Sequence, residues 1–220
     1  MFLSLKYIFL TVFSICIWNT SVRSQEIYPL KGGYELSVEI SPDSSVIFML
    51  KQGTSEQVIE EDYVDDDSEK FALRYSGMDF EHYFVLNRWE SAYKVAIWLY
   101  EKSTGKNLFK EKQYYESCYD LPSNLLLYLD SDENANPEGN LTLLDLNDLS
   151  STTVGIRLFT PENPPEMYYW ADFEISKVID DQVYITYNEA NKQGVTHKFR
   201  RKHNASPGDK MDHLKKGLNQ

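Results

Sequence analysis

Side-chain oxygens recur at every second position of one polar stretch, at Asp130, Asp132, Asn134 and Asn136, with Glu138 after them. Calcium takes about six to eight oxygen ligands, and an alternating loop can wrap such a set round one ion. The stretch departs from the EF-hand pattern at two places. Ala135 stands where glycine permits the sharp turn, and Leu141 stands where the bidentate glutamate belongs. Two readings stand: a non-EF calcium loop with these five residues as ligands, or a solvated turn built of residues that favour turns without any ion.

The other reactive side chains are less organised. Cys118 would need a neighbouring base to act as a nucleophile. No spacing links it to His82, His197, His203 or His213, so a buried or tolerated thiol is expected. Ser103-Thr104-Gly105-Lys106 matches Ser-x-x-Lys in letters. In the hydrolases that use that motif the serine opens a helix, whereas here the four residues read as a turn after a strand. Gly105-Lys106 lacks the earlier glycine and the following Ser or Thr of a phosphate loop. A dense acidic run, Glu60 to Glu69, reads as a loop, with a weak metal site or a docking strip for a basic partner as the functional alternative.

One loop has a recognition character. Pro161, Pro164 and Pro165 stiffen it, and Met167, Tyr168, Tyr169 and Trp170 follow. Rigid aromatics on a loop make good partner-binding residues, for proteins or sugar rings. The bland alternative is that Tyr169 and Trp170 start a strand and pack inward.

The N-terminal stretch fixes the expected compartment. Lys6 precedes an apolar run from Tyr7 to Trp18, broken only by Thr11 and Ser14, and a small polar exit ends at Ser24. That is the anatomy of a secretory signal peptide cleaved near Ser24/Gln25. Its twelve-residue apolar run is short of the roughly 20 residues a bilayer needs. No later segment is apolar enough to span one. Cys16 leaves with the signal, so Cys118 has no internal partner. An unstapled exported chain points to a periplasmic or secreted bacterial protein.

Charge is strongly acidic and unevenly spread. The mature chain carries 20 basic and 34 acidic residues, net −14. From Lys198 onward there are seven basic and two acidic residues, so the body before it stands at −19. Such a body repels nucleic acid and anionic lipid and attracts cationic partners or divalent metal. Solubility alone is the plain alternative.

The elements that must position these groups are strands. Tyr34, Leu36, Val38 and Ile40 alternate with Glu35, Ser37, Glu39 and Ser41, a period of two. Val95 to Tyr100 and Leu125 to Leu129 are apolar on both faces and predict central strands. Helix signals are confined to Met211, Leu214 and Leu218 behind Asp209. Segments opening at Ser44, Lys94, Gly139 and Asp180 each read strand, polar turn, strand. Their spacing of about 40 to 50 residues is that of propeller blades. The stretch Val95 to Phe109, "VAIWLYEKSTGKNLF", resembles the outer hairpin of such a blade. The expected organisation is a signal peptide (1–24), one all-β domain (25–199) and a basic C-terminal tail (200–220). The expected fold is an antiparallel sandwich or partly closed barrel, or a small propeller-like array of about four β-meander repeats.

No stretch reaches a catalytic signature. Three function classes follow. The first is a non-catalytic interaction module, of inhibitor or immunity type towards a basic partner. The second is a calcium-binding surface protein. The third is a carbohydrate-active or other hydrolytic enzyme working through two carboxylates. The balance of features favours the first.

Overall fold

A computed structural model describes residues 24–41, 44–63, 72–91, 94–109, 114–131, 138–157, 173–189 and 192–201. The chain divides into two compact units, Met1–Ala72 and Leu73–Gln220. It is all-β. Its fourteen strands pair only antiparallel, and a single 3-10 turn, Lys31–Gly33, is the other regular element among the described residues.

The first unit is a four-stranded meander of β1 (Ser24–Leu30), β2 (Tyr34–Ile40), β3 (Ser45–Gln52) and β4 (Ser55–Tyr63), in that spatial order. The alternation read in β2 sets its pleat. Leu36 and Val38 are buried beside Phe48 and Leu50 of β3, with Leu36 opposite Leu50 and Val38 opposite Phe48. Strand β1 was not legible as a strand. It is an edge strand containing Pro29, a residue that edges tolerate because one side of their ladder is open. The tight β3–β4 turn holds Gly53 at φ +59°, a conformation glycine adopts without a Cβ clash.

The second unit holds β5 (Arg74–Asp79), β6 (Tyr83–Ser91), β7 (Lys94–Glu101), β8 (Tyr114–Asp120), β9 (Leu125–Ser131), β10 (Glu138–Asp145), β11 (Ser150–Arg157), β12 (Phe173–Ile179), β13 (Gln182–Glu189) and β14 (Lys192–Arg200). Strands β5 to β11 form one ladder in chain order, but β7 and β8 share only the pairs Ala96–Tyr115 and Ile97–Tyr114. At that joint the sheet folds on itself. Leu126 and Tyr128 of β9 pack with Val85 of β6 and with Ile97 and Leu99 of β7 in one core. Strands β12 to β14 form a separate sheet.

The β8–β11 leaf is thus the middle of three layers. Leu126, Tyr128 and Leu144 enter the core shared with β5–β7, while Leu125, Leu127, Leu129, Leu141 and Leu143 enter a second core with Val183, Ile185, Tyr187 and Phe199. This is why Leu125 to Leu129 is apolar at every position: successive side chains point into different cores. Both expected descriptions have a counterpart. Meander leaves recur along the chain, as β1–β4, β5–β7, β8–β11 and β12–β14, and leaves of the second unit pack sheet on sheet.

Two expectations need adjustment. The acidic run does not begin as a loop: Glu60, Glu61 and Asp62 lie in β4, opposite Phe48, Ile47 and Val46. Arg200 and Arg201, read as the start of the tail, are tied to the second unit. Arg200 ends β14 opposite Gln182, and the Arg201 amide donates to the Asp181 carbonyl at 2.8 Å.

Candidate interaction surface

Charge concentrates in the first unit. Between Gln25 and Ala72 twelve carboxylates face only Lys31, Lys51 and Lys70, net −9. Residues 73–220 carry −5. Seven of the twelve, Glu26, Glu35, Glu39, Glu56, Glu60, Glu61 and Asp62, stand on described strands.

Register sorts them onto two faces, because residues paired across an antiparallel ladder share a side. One face carries three cross-strand rows. Pro29, Glu35, Lys51 and Glu56 form the first; Ile27, Ser37, Met49 and Val58 the second; Gln25, Glu39, Ile47 and Glu61 the third. The other face carries Glu26, Glu60 and Asp62 beside the buried Val38, Phe48 and Val46.

A bulge makes the first pattern. The register shifts between Phe48 and Met49, which leaves Ile59 over and returns both Val58 and Glu61 to the same side. Along β4 the face therefore reads acid, apolar, acid, and along β2 it reads Glu35, Ser37, Glu39. Ile27 and Val58 are 52% and 61% exposed, while Ser37 and Met49 between them are buried. Lys51 pairs with Glu56 at 3.4 Å, and Gln25 donates to Ser37 at 2.8 Å and to Glu39 at 3.3 Å. Sequence reading missed this surface because alternation alone places Glu61 on the wrong side of β4.

The other expected sites fare differently. Of the calcium candidates, Asp130 lies within β9, opposite Asn140, and Glu138 begins β10, opposite Arg157. Asp132, Asn134 and Asn136 lie outside the described residues, as do Met167, Tyr168, Tyr169 and Trp170. Among the described residues no group of three or more His, Cys, Asp or Glu side chains is gathered as a metal site. The Ser103 to Lys106 stretch is a turn. The Gly105 amide donates to the Glu101 carbonyl at 2.8 Å with φ +65°, and the Thr104 hydroxyl donates to the Glu101 carboxylate at 2.6 Å.

Cys118 sits half-buried on the β8 side of the second core, near Ile175 of β12. Burial pushes its thiol up to about 12, well above the ordinary cysteine range; a backbone hydrogen bond from Ile175 pulls the other way, and the Glu174 charge adds to the rise. Near neutral pH the thiol therefore stays protonated, and the thiolate is the nucleophile. A disulfide reagent at pH 8 should label native Cys118 at least 100-fold more slowly than the denatured chain. The raised pKa also has a sign for folding: its stabilisation is complete below about pH 9 and is lost as pH rises towards 12. Cys118→Ala should lack this alkaline component in a denaturation series.

No family model matches the chain, and no curated protein matches it. Among solved structures it is similar to the crystal structure of TolB from Acinetobacter baumannii, at 10% sequence identity over 79% of this chain. The match spans 56% of that chain, about half its length, and its TM-score is 0.26. At that score the likeness carries no argument about fold or role. No helix among the described residues is long and apolar enough to cross a membrane.

Proposed function

We propose that this chain is an exported, non-catalytic interaction module that recognises a basic protein partner through its N-terminal sheet. The observation that carries this is the placement of net −9 on the 48 residues from Gln25 to Ala72, with acidic rows framing exposed apolar side chains on one face. Fields of one sign steer association with cations and discriminate against anions. Export is supported by the signal-type N-terminus. Cleavage before Gln25 would leave the β1–β2 ladder from Gln25–Glu39 to Leu30–Tyr34 in place. An inhibitor or immunity role is the concrete form this reading takes. Amide exchange of the mature chain with a polycation bound tests it: slowed exchange in β2 and β4 supports the reading, and slowed exchange elsewhere overturns it.

A further inference from the structure

We infer that the face of the N-terminal sheet bearing Ile27, Met49 and Val58 binds an extended segment of its partner in which basic and apolar side chains alternate. This rests on the reading of the chain as a module for basic partners, and it names the segment that such a partner must present. The periods of the two chains match. Same-side residues along a strand stand about 6.8 Å apart, and neighbouring strands about 4.8 Å apart. Along β2 the carboxylates of Glu35 and Glu39 flank Ser37, and along β4 those of Glu56 and Glu61 flank Val58. An extended chain running alongside these strands presents its own same-side residues at the same interval. Lysine or arginine at i and i+4 then meets the two acidic rows, while an apolar residue at i+2 meets Val58, the exposed member of the central row on β4.

Charge complementarity selects the occupant. The two acidic rows hold four carboxylates and one lysine, and that lysine is already engaged with Glu56. An anionic segment would be repelled on both flanks. A purely polar cation would leave Val58 and Ile27 in water, while a purely apolar strand would have to desolvate the carboxylates without compensation. The alternating cationic segment avoids all three penalties. The bulge at Ile59 contributes directly, since without it Glu61 would face the opposite side.

The probe is a fluorescein-labelled nonapeptide, Lys-Thr-Val-Thr-Lys-Thr-Val-Thr-Lys, titrated into the mature chain at low salt. Binding should weaken at least tenfold in Glu35→Gln/Glu56→Gln/Glu61→Gln. It should change less than threefold in Glu26→Gln/Glu60→Gln/Asp62→Asn, which removes equal charge from the opposite face. Val58→Ser, at an exposed position that folding tolerates, should weaken binding severalfold with no change in charge. Equal loss in both triple variants, with melting curves unchanged, would overturn the inference. So would tighter binding by tenfold after truncation at Arg201, which would give the face to the chain's own C-terminal segment. A dimer in sedimentation velocity that dissociates in the first triple variant would give it to a second copy and equally overturn it. Polylysine separates the two levels. If polylysine binds and the nonapeptide does not, only the face assignment fails; if neither binds, the underlying reading fails with it.

Discussion

Lys102→Met should lower the unfolding free energy by about 3–5 kcal/mol, the range for removing one partner of a buried ion pair. The side chain is 1% exposed, in the turn that leaves β7. Its ammonium lies 2.7 Å from an Asp79 carboxylate oxygen and donates to the carbonyls of Phe80 at 2.6 Å and Glu81 at 3.3 Å. Its own amide donates to the His82 carbonyl at 2.9 Å. One residue thus closes the end of the β5–β6 hairpin against the β7 turn, beside the buried Phe80. Methionine keeps most of the stem and removes the charge. The Asp79 carboxylate then loses this counter-charge, and two carbonyls lose a donor in a site poor in water. Adding Asp79→Asn to Lys102→Met should restore about 1 kcal/mol or more, because the Asp79 charge that the ammonium balances is then removed as well. Urea denaturation of the three proteins reads both numbers. A loss under about 1 kcal/mol in the single variant would show that water replaces the ammonium freely.

Arg201→Met should cost about 3 kcal/mol, while the neighbouring Arg200→Met should cost less than about 0.5 kcal/mol. The two arginines make ion pairs of nearly equal length. Arg201 Nε lies 2.6 Å from Asp145 Oδ2 and Arg200 Nε lies 2.7 Å from Asp181 Oδ2. They differ in burial. The Arg201 and Asp145 side chains are 13% and 6% exposed, whereas Arg200 is 81% exposed. In water the gain of pairing is offset by solvation and by side-chain entropy; away from it, the carboxylate's charge loses the counter-charge that balances it. Asp145 is further engaged, with its Oδ1 accepting from the amide and side chain of Asn147 at 3.0 and 2.7 Å. Asn147 in turn donates to the Ser123 carbonyl and accepts from Asn124, and Arg201 reaches the same carbonyl at 3.4 Å. This network fastens the end of β14 to the β8–β9 and β10–β11 turns, across two leaves that share no ladder. Equal losses in the two arginine variants would contradict the assignment of the effect to burial.

The strands were legible where pattern and burial agree. The expected central strand Val95 to Tyr100 lies within β7, one residue short at each end, and the doubly apolar Leu125 to Leu129 run is the centre of a three-layer stack. Edge strands were not. β1 carries a proline and is exposed over most of its length, and β11 is Ser- and Thr-rich with one buried residue, Ile156. Their partners supply the ordering that their own composition does not. The buried pairs were illegible for another reason. Asp145 and Arg201 stand 56 positions apart, and nothing local marks either as interior. Acidity was read correctly in amount, but the start of the acidic run was misplaced: Glu60, Glu61 and Asp62 are held on β4 opposite Phe48, Ile47 and Val46, while Asp65, Asp66, Asp67 and Glu69 lie outside the described residues. The candidate surface depends on one bulge, and a bulge has no signature in a period-two pattern.

The central claim is that the N-terminal sheet recognises a cationic partner, and amide hydrogen exchange with a polylysine 20-mer tests it most directly. A chain beginning at Gln25 would be exchanged alone and with the peptide. The account predicts slowed exchange in peptides covering 34–40 and 55–63, with little change in those covering 125–145 and 182–200. Protection confined to the second unit, or spread evenly over both, would contradict it.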